Sequence, residues 1–135
     1  MAGPPEAFVH PAVAWVAQLM LCSAYLQGGW DKLRDFPSAV AEMRGFGLGP
    51  APLWAGAVIA LEIGASLLVL TGCFRWLGAL ALAGFTLLAS LLADRFWAAP
   101  PGTRRAVRNT FFEHWGLVGG LLLVAWLDLG GGHVC

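Results

Sequence analysis

Charge is scarce in this chain. Only 12% of its 135 residues are Asp, Glu, Lys or Arg, while 59% are hydrophobic and the mean hydropathy is +0.71. That balance excludes an ordinary soluble domain and leaves a membrane protein. Cysteine is sparse too: Cys22, Cys73 and Cys135 occur without any CxxC spacing, which excludes a dithiol redox motif. Metal-ligand patterns are missing, since His133 and Cys135 have no third donor nearby and His10 stands alone. No nucleotide-binding loop, HExxH or Ser/His/Asp order is present. The one dense basic group, Arg104, Arg105 and Arg108, lies beside a membrane segment. It reads as a topology determinant and anionic-lipid contact, not as a nucleic-acid surface.

What the chain does have is long apolar runs. Four can span a bilayer, over roughly residues 11–28, 53–72, 74–92 and 111–129. Residues 1–10 carry Glu6 and no Lys or Arg, so the first run reads as a span and not as a signal peptide. The expected architecture is all-α: one membrane domain over residues 1–135, built as an integral membrane four-helix bundle. Between the first two runs, Pro37 to Arg44 reads as a short interfacial helix, with Pro37 in its first turn, Gly45 at its stop and Ala39, Val40 and Met43 on one face. The short TGCFR turn makes the second and third runs antiparallel neighbours. Residues 98–109, rich in Pro, Gly and Arg, read as an exposed loop. Thr110 and Glu113 then have capping-box spacing at the start of the last helix.

The basic residues are unevenly placed. Lys32, Arg34, Arg44, Arg95, Arg104, Arg105 and Arg108 fall in the two long connections, and Arg75 alone falls on the other side. The positive-inside rule makes those connections cytoplasmic and both termini external, as in a multi-pass protein of the inner membrane. Cys73 and Cys135 then share the outer face, where an oxidising compartment joins them if the tail folds back.

Glu62 interrupts the second run near its middle. At ~1.5 Å per residue it lies roughly 15 Å from either end, near the midplane of a ~30 Å hydrocarbon core. A carboxylate there costs ~2.5–3.5 kcal/mol on insertion scales, which makes it a candidate functional group. Two readings stand side by side: a proton-accepting or ligand-binding carboxylate, or a buried acid tied to a neighbouring helix. Lys32 is either its counter-ion or a snorkelling interfacial residue, and position alone favours snorkelling. Gly56, Ala60 and Gly64 form a small-residue face suited to close packing, and Glu62 points away from it.

Other ionisable residues gather at the ends of the runs on the basic side: Asp31 and Lys32, Asp94 and Arg95, Glu113 and His114. Helices in a bundle sit ~10 Å apart, so these ends form a candidate funnel leading to Glu62. Glu113 serves either as a cap or in function. His114 either shuttles protons or hydrogen-bonds a headgroup.

The segment GGWDKLRDF from Gly28, then Glu62 followed by Gly64 and LLVLTG, Arg75 after the turn, and Glu113 opening a Gly/Leu-rich last helix together resemble the DoxX family of small bacterial membrane proteins. The resemblance implies four transmembrane helices and places Lys32, Glu62, Arg75 and Glu113 in the family's polar pattern. It also implies an association with redox chemistry, since the family takes its name from subunits associated with a thiosulfate:quinone oxidoreductase. The GGGHVC tail departs from the family's longer polar ending. The expected role is a membrane subunit or adaptor of a quinone-linked redox system, without a covalently bound cofactor and with electrons from a partner protein. The alternatives are a proton-coupled or small-molecule carrier, which would need a homodimer through the small-residue face, and a ligand-free membrane scaffold.

Overall fold

In the computed structural model, which describes residues 10–132, five α-helices follow one another: α1 (Pro11–Arg34), α2 (Phe36–Gly45), α3 (Ala51–Thr71), α4 (Arg75–Ala93) and α5 (Pro101–Gly131). A single 3-10 turn, Phe96–Ala98, joins α4 to α5. Among the described residues there is no strand. Three segments are long and apolar enough to cross a membrane: Ala51–Thr71, Arg75–Ala98 and Pro101–Gly131. The chain is a membrane protein. The expected count of four spans is not reached by that measure. α1 has the length, but Gln18, Ser23, Tyr25 and Gln27 dilute its apolar character.

The cross-helix contacts give the bundle's directions. Lys32 meets Glu62, and Cys22, earlier on α1, meets Ser66, later on α3, so α1 and α3 run antiparallel. Asp94 meets His114 and Trp76 meets Asp128, so α4 and α5 are antiparallel as well. Tyr25 reaches Thr86 across the bundle, between the parallel helices α1 and α4. The ends of α1 and α4 and the starts of α3 and α5 therefore share one end, and it carries seven of the eight basic residues. It is the basic end of the bundle.

Two sequence-based boundaries are corrected. α1 does not stop at Gly28 but continues to Arg34. Gly28 and Gly29 mark a close helix crossing and not a helix end. A Cβ at Gly29 would stand 2.7 Å from Ile63 Cγ1, and one at Gly28 would stand 2.7 Å from Glu62 Oε2. Residues 98–109 are not a loop either, because α5 begins at Pro101. Proline fits the first turn, where no amide partner is required, and the arginines that follow are good helix formers. At ~1.5 Å per residue this 31-residue helix is roughly 46 Å long, so its arginine-bearing start projects beyond a ~30 Å apolar core. The capping box at Thr110 is overturned with it. Thr110 lies inside α5 and donates its hydroxyl to the Ala106 carbonyl at 3.1 Å.

The interfacial helix is present as α2, capped by Asp35, whose carboxylate accepts from the Ser38 hydroxyl at 2.7 Å. α2 packs against α3 through Ala39, Met43, Ala51 and Ala55, which form a small core at the basic end. The main core lies in the other half of the bundle, where Cys22, Tyr25, Val69, Leu82 and Leu121 pack together. In that half α3 and α4 touch closely, since a Cβ at Gly78 would come within 2.6 Å of the Ala65 carbonyl oxygen. Gly72, at φ 85°, turns the chain between them in a left-handed conformation that glycine takes without a Cβ clash.

Candidate functional site

The distribution of the core leaves an unfilled space. Between the two clusters of buried side chains lies a chamber of about 570 Å³, within the 300–1,000 Å³ typical of ligand pockets. Its walls are mainly apolar, with Met43, Phe46, Val58, Phe85 and Leu117 among them. Trp54, Leu88 and Leu92 also line it and are exposed on the outer surface of α3 and α4. The chamber is thus continuous with the face that meets lipid.

Glu62 stands in its wall, 3% exposed. α3 places it there by periodicity: Ala55, Ile59, Glu62, Ser66 and Val69 form the buried stripe of the helix, while Gly56, Ala60 and Gly64 face outward. Glu62 points away from the small-residue face, as expected. That face has no neighbour within the chain, for a Cβ at Gly56 or Gly64 meets nothing within 4 Å.

Lys32 is the counter-ion, contrary to the snorkelling that position favoured. Its Nζ donates to Glu62 Oε1 at 2.9 Å. The reason is the length of α1: once the helix runs through Gly28, Lys32 lies one turn further on the same face, directed at α3. The second oxygen of Glu62 lies over Gly28, where any side chain would displace it. The glycine pair is what allows a charged group to occupy the α1–α3 contact.

The remaining expected site residues divide. His114 lines the chamber, and its Nδ1 lies 2.8 Å from Asp94 Oδ2, tying α5 to the end of α4. Glu113, one residue away, is exposed and does not line the chamber. Arg75 is at the opposite end of the bundle, where its Nε donates to the Val69 carbonyl at 2.8 Å. A cation on the last carbonyls of α3 complements the helix dipole, so Arg75 serves the α3–α4 turn and not the chamber. His10 caps α1, accepting from the Ala12 amide at 3.1 Å. His133 and Cys135 lie outside the described residues, and with them the Cys73–Cys135 pairing. Among the described residues no group of three His, Cys, Asp or Glu could hold a metal ion.

Three features of the site escaped the sequence reading. Tyr25 and Thr86 are buried and hydrogen-bonded to each other at the inner edge of the chamber, with Thr86 donating onward to the Leu82 carbonyl. Glu42 of α2 joins the lining. Asp128 is buried near the far end of α5 and accepts from the Trp76 amide at 3.1 Å, capping α4 from a neighbouring helix. A signal for the first existed: Gln18, Cys22, Tyr25 and Lys32 fall on one face of α1, a polar stripe on a membrane helix.

The DoxX family model matches residues 13–95, more than half of the chain. The chain belongs to the DoxX family. The matched DoxX region runs from α1 through the end of α4 and includes Lys32, Glu62, Arg75 and Asp94. Glu113 and His114 lie beyond it, on α5. No curated protein and no solved structure matches this DoxX chain.

Proposed function

We propose that this DoxX-family protein is the membrane subunit of a quinone-linked redox system, with the chamber as the site that receives the quinone ring. The observation that supports the reading is the part-buried Lys32–Glu62 pair in the wall of an apolar chamber whose lining continues onto the lipid face. A lipid-dissolved ligand with a polar head and an apolar body has a complementary distribution of groups. When bound, a quinone supplies two-electron, two-proton chemistry. The chain's residues hold and move the protons: Lys32 Nζ is a donor at the chamber wall, and Glu62 accepts from Lys32. The electrons come from a partner protein. By the positive-inside rule the basic end faces the cytoplasm of the inner membrane.

A carrier is the weaker reading because Val69, Leu82 and Leu121 are fully buried beyond the chamber and close the other half of the bundle. The homodimer belongs to the same proposal, with the outward Gly56, Ala60 and Gly64 as the face that a second copy meets.

The test is binding of a short-chain quinone analogue to the purified protein in nanodiscs, followed by quenching of tryptophan fluorescence. Trp54 in the chamber wall reports on occupancy. Saturable quenching that weakens about tenfold in Glu62→Gln, a loss of ~1.4 kcal/mol, supports the proposal. Unsaturable quenching equal in both proteins refutes it.

A further inference from the structure

The chamber is not the only opening onto the ion pair. A second cleft of about 610 Å³ lies at the basic end, between the last turns of α1 and the first turns of α2. Its lining is polar, including Asp31, Arg34, Asp35 and Ser38. Gly28, Lys32 and Glu42 line both spaces. A water-facing cleft and a lipid-facing chamber therefore share one wall, and the ion pair stands at that wall. The pair is also asymmetric: the Lys32 side chain is 22% exposed and that of Glu62 only 4%. The ammonium reaches toward water, and the carboxylate lies in the dry space.

We infer that the cleft is the proton inlet of the chamber, a water-borne route to Lys32 and Glu62 distinct from the lipid-facing mouth. Lys32 Nζ passes a proton along its 2.9 Å hydrogen bond to Glu62 Oε1, or to a ligand in the chamber, and regains one from water in the cleft. One proton leaves the cleft for each proton delivered, so the step balances without any further reactant. The other ionisable groups lining the two spaces are Tyr25, Asp31 and Arg34 from α1, Asp35 before α2, Glu42 from α2, Arg95 after α4 and His114 from α5. Of these only Glu42 borders both spaces. The purpose of the inlet rests on the chamber being a ligand site, but the route itself does not.

Lys32 is the only lysine in the chain, so amine chemistry reports on this position. The experiment compares two amine reagents on vesicles of known orientation, with modification of Lys32 read by peptide mass spectrometry. One is a membrane-impermeant sulfonated succinimidyl ester and the other is a lipophilic isothiocyanate. The impermeant ester is expected to modify Lys32 only from the basic end. Ser38→Trp, an exposed position in the cleft, slows that reaction by about tenfold and leaves the isothiocyanate rate unchanged; tenfold corresponds to ~1.4 kcal/mol. Ala89→Trp, in the chamber wall, has the opposite pattern. Modification from the far end alone, no modification from either end, or equal slowing of both reagents by Ala89→Trp overturns the inlet. The orientation result comes from the unaltered protein and stands if a tryptophan variant does not fold. Quinone binding plays no part in the readout, so failure of the inlet and failure of the quinone site are separate results.

Discussion

Removing Lys32 and removing Glu62 are expected to destabilise the protein unequally, although the two residues share one hydrogen bond. In Lys32→Met the carboxylate of Glu62, 3% exposed, loses its cation and keeps no water contact of its own. Breaking a buried pair in this way costs about 3–5 kcal/mol. In Glu62→Gln the orphan is the ammonium, on a side chain that is 22% exposed and borders the polar cleft. It keeps part of its hydration, and the new amide oxygen still accepts a hydrogen bond. That loss is nearer the ~1–2 kcal/mol of a weakened hydrogen bond to a charged group. In the double variant Lys32→Met/Glu62→Gln no charge is left unpaired, so the two losses do not add. Stability of the double variant should lie above that of Lys32→Met alone. Unfolding in mixed micelles, followed by tryptophan fluorescence, measures all three variants. Equal losses for the two single variants, or simple additivity in the double, would refute the geometry of an ammonium toward water and a carboxylate toward the dry side.

Three further outcomes follow from close approaches and caps. Gly28→Ala places a Cβ 2.7 Å from Glu62 Oε2, the movable end of a side chain, so the carboxylate shifts and binding of the quinone analogue weakens more than thermal stability does. Gly78→Ala meets the Ala65 backbone oxygen at 2.6 Å and forces α3 and α4 apart, costing about 1–3 kcal/mol, whereas Gly84→Ala on the same helix meets nothing and is neutral or gains up to ~1 kcal/mol; chemical unfolding distinguishes the pair. Asp128→Ala removes the cap on the Trp76 amide and lowers stability by about 0.5–2 kcal/mol, readable as a reduced unfolding midpoint.

The sequence made the interior of the fold legible wherever an apolar run was long and uninterrupted. α3 and α4 lie within a few residues of their expected bounds, and Glu62 faces inward because the small residues around it occupy the other side. The basic asymmetry also survives in three dimensions. Punctuation residues were the weak point. Glycine at a tight crossing looks the same in sequence as glycine at a helix stop, so α1 read six residues short at Gly28. Proline in the first turn of a helix looks the same as proline in a loop, and the start of α5 was lost for that reason. Both errors reached the site. A helix 1 that ends at Gly28 leaves Lys32 in a connection with no defined direction, and a last helix that begins at Thr110 gives Glu113 a capping role it does not have. The pairings themselves had no local signal, since Lys32 and Glu62 are separated by 30 residues and Tyr25 and Thr86 by 61.

The chamber follows from how the core is divided. In the half of the bundle away from the basic end, α3 gives its buried side chains to α1 and α4, and Gly78 draws α3 and α4 together. In the basic half, α3 turns Ala51 and Ala55 toward α2 instead. The side chains that would fill the space beside α4 are thereby committed elsewhere, and Glu62 sits where one arrangement gives way to the other. A carboxylate whose whole task was to tie α1 to α3 would need only Lys32 and the room made by Gly28. The chamber on one side of the pair and the polar cleft on the other add nothing to such a tie, and each leaves packing unmade. Two spaces of different polarity meeting at one part-buried ion pair are what the proposed exchange of protons with both would require.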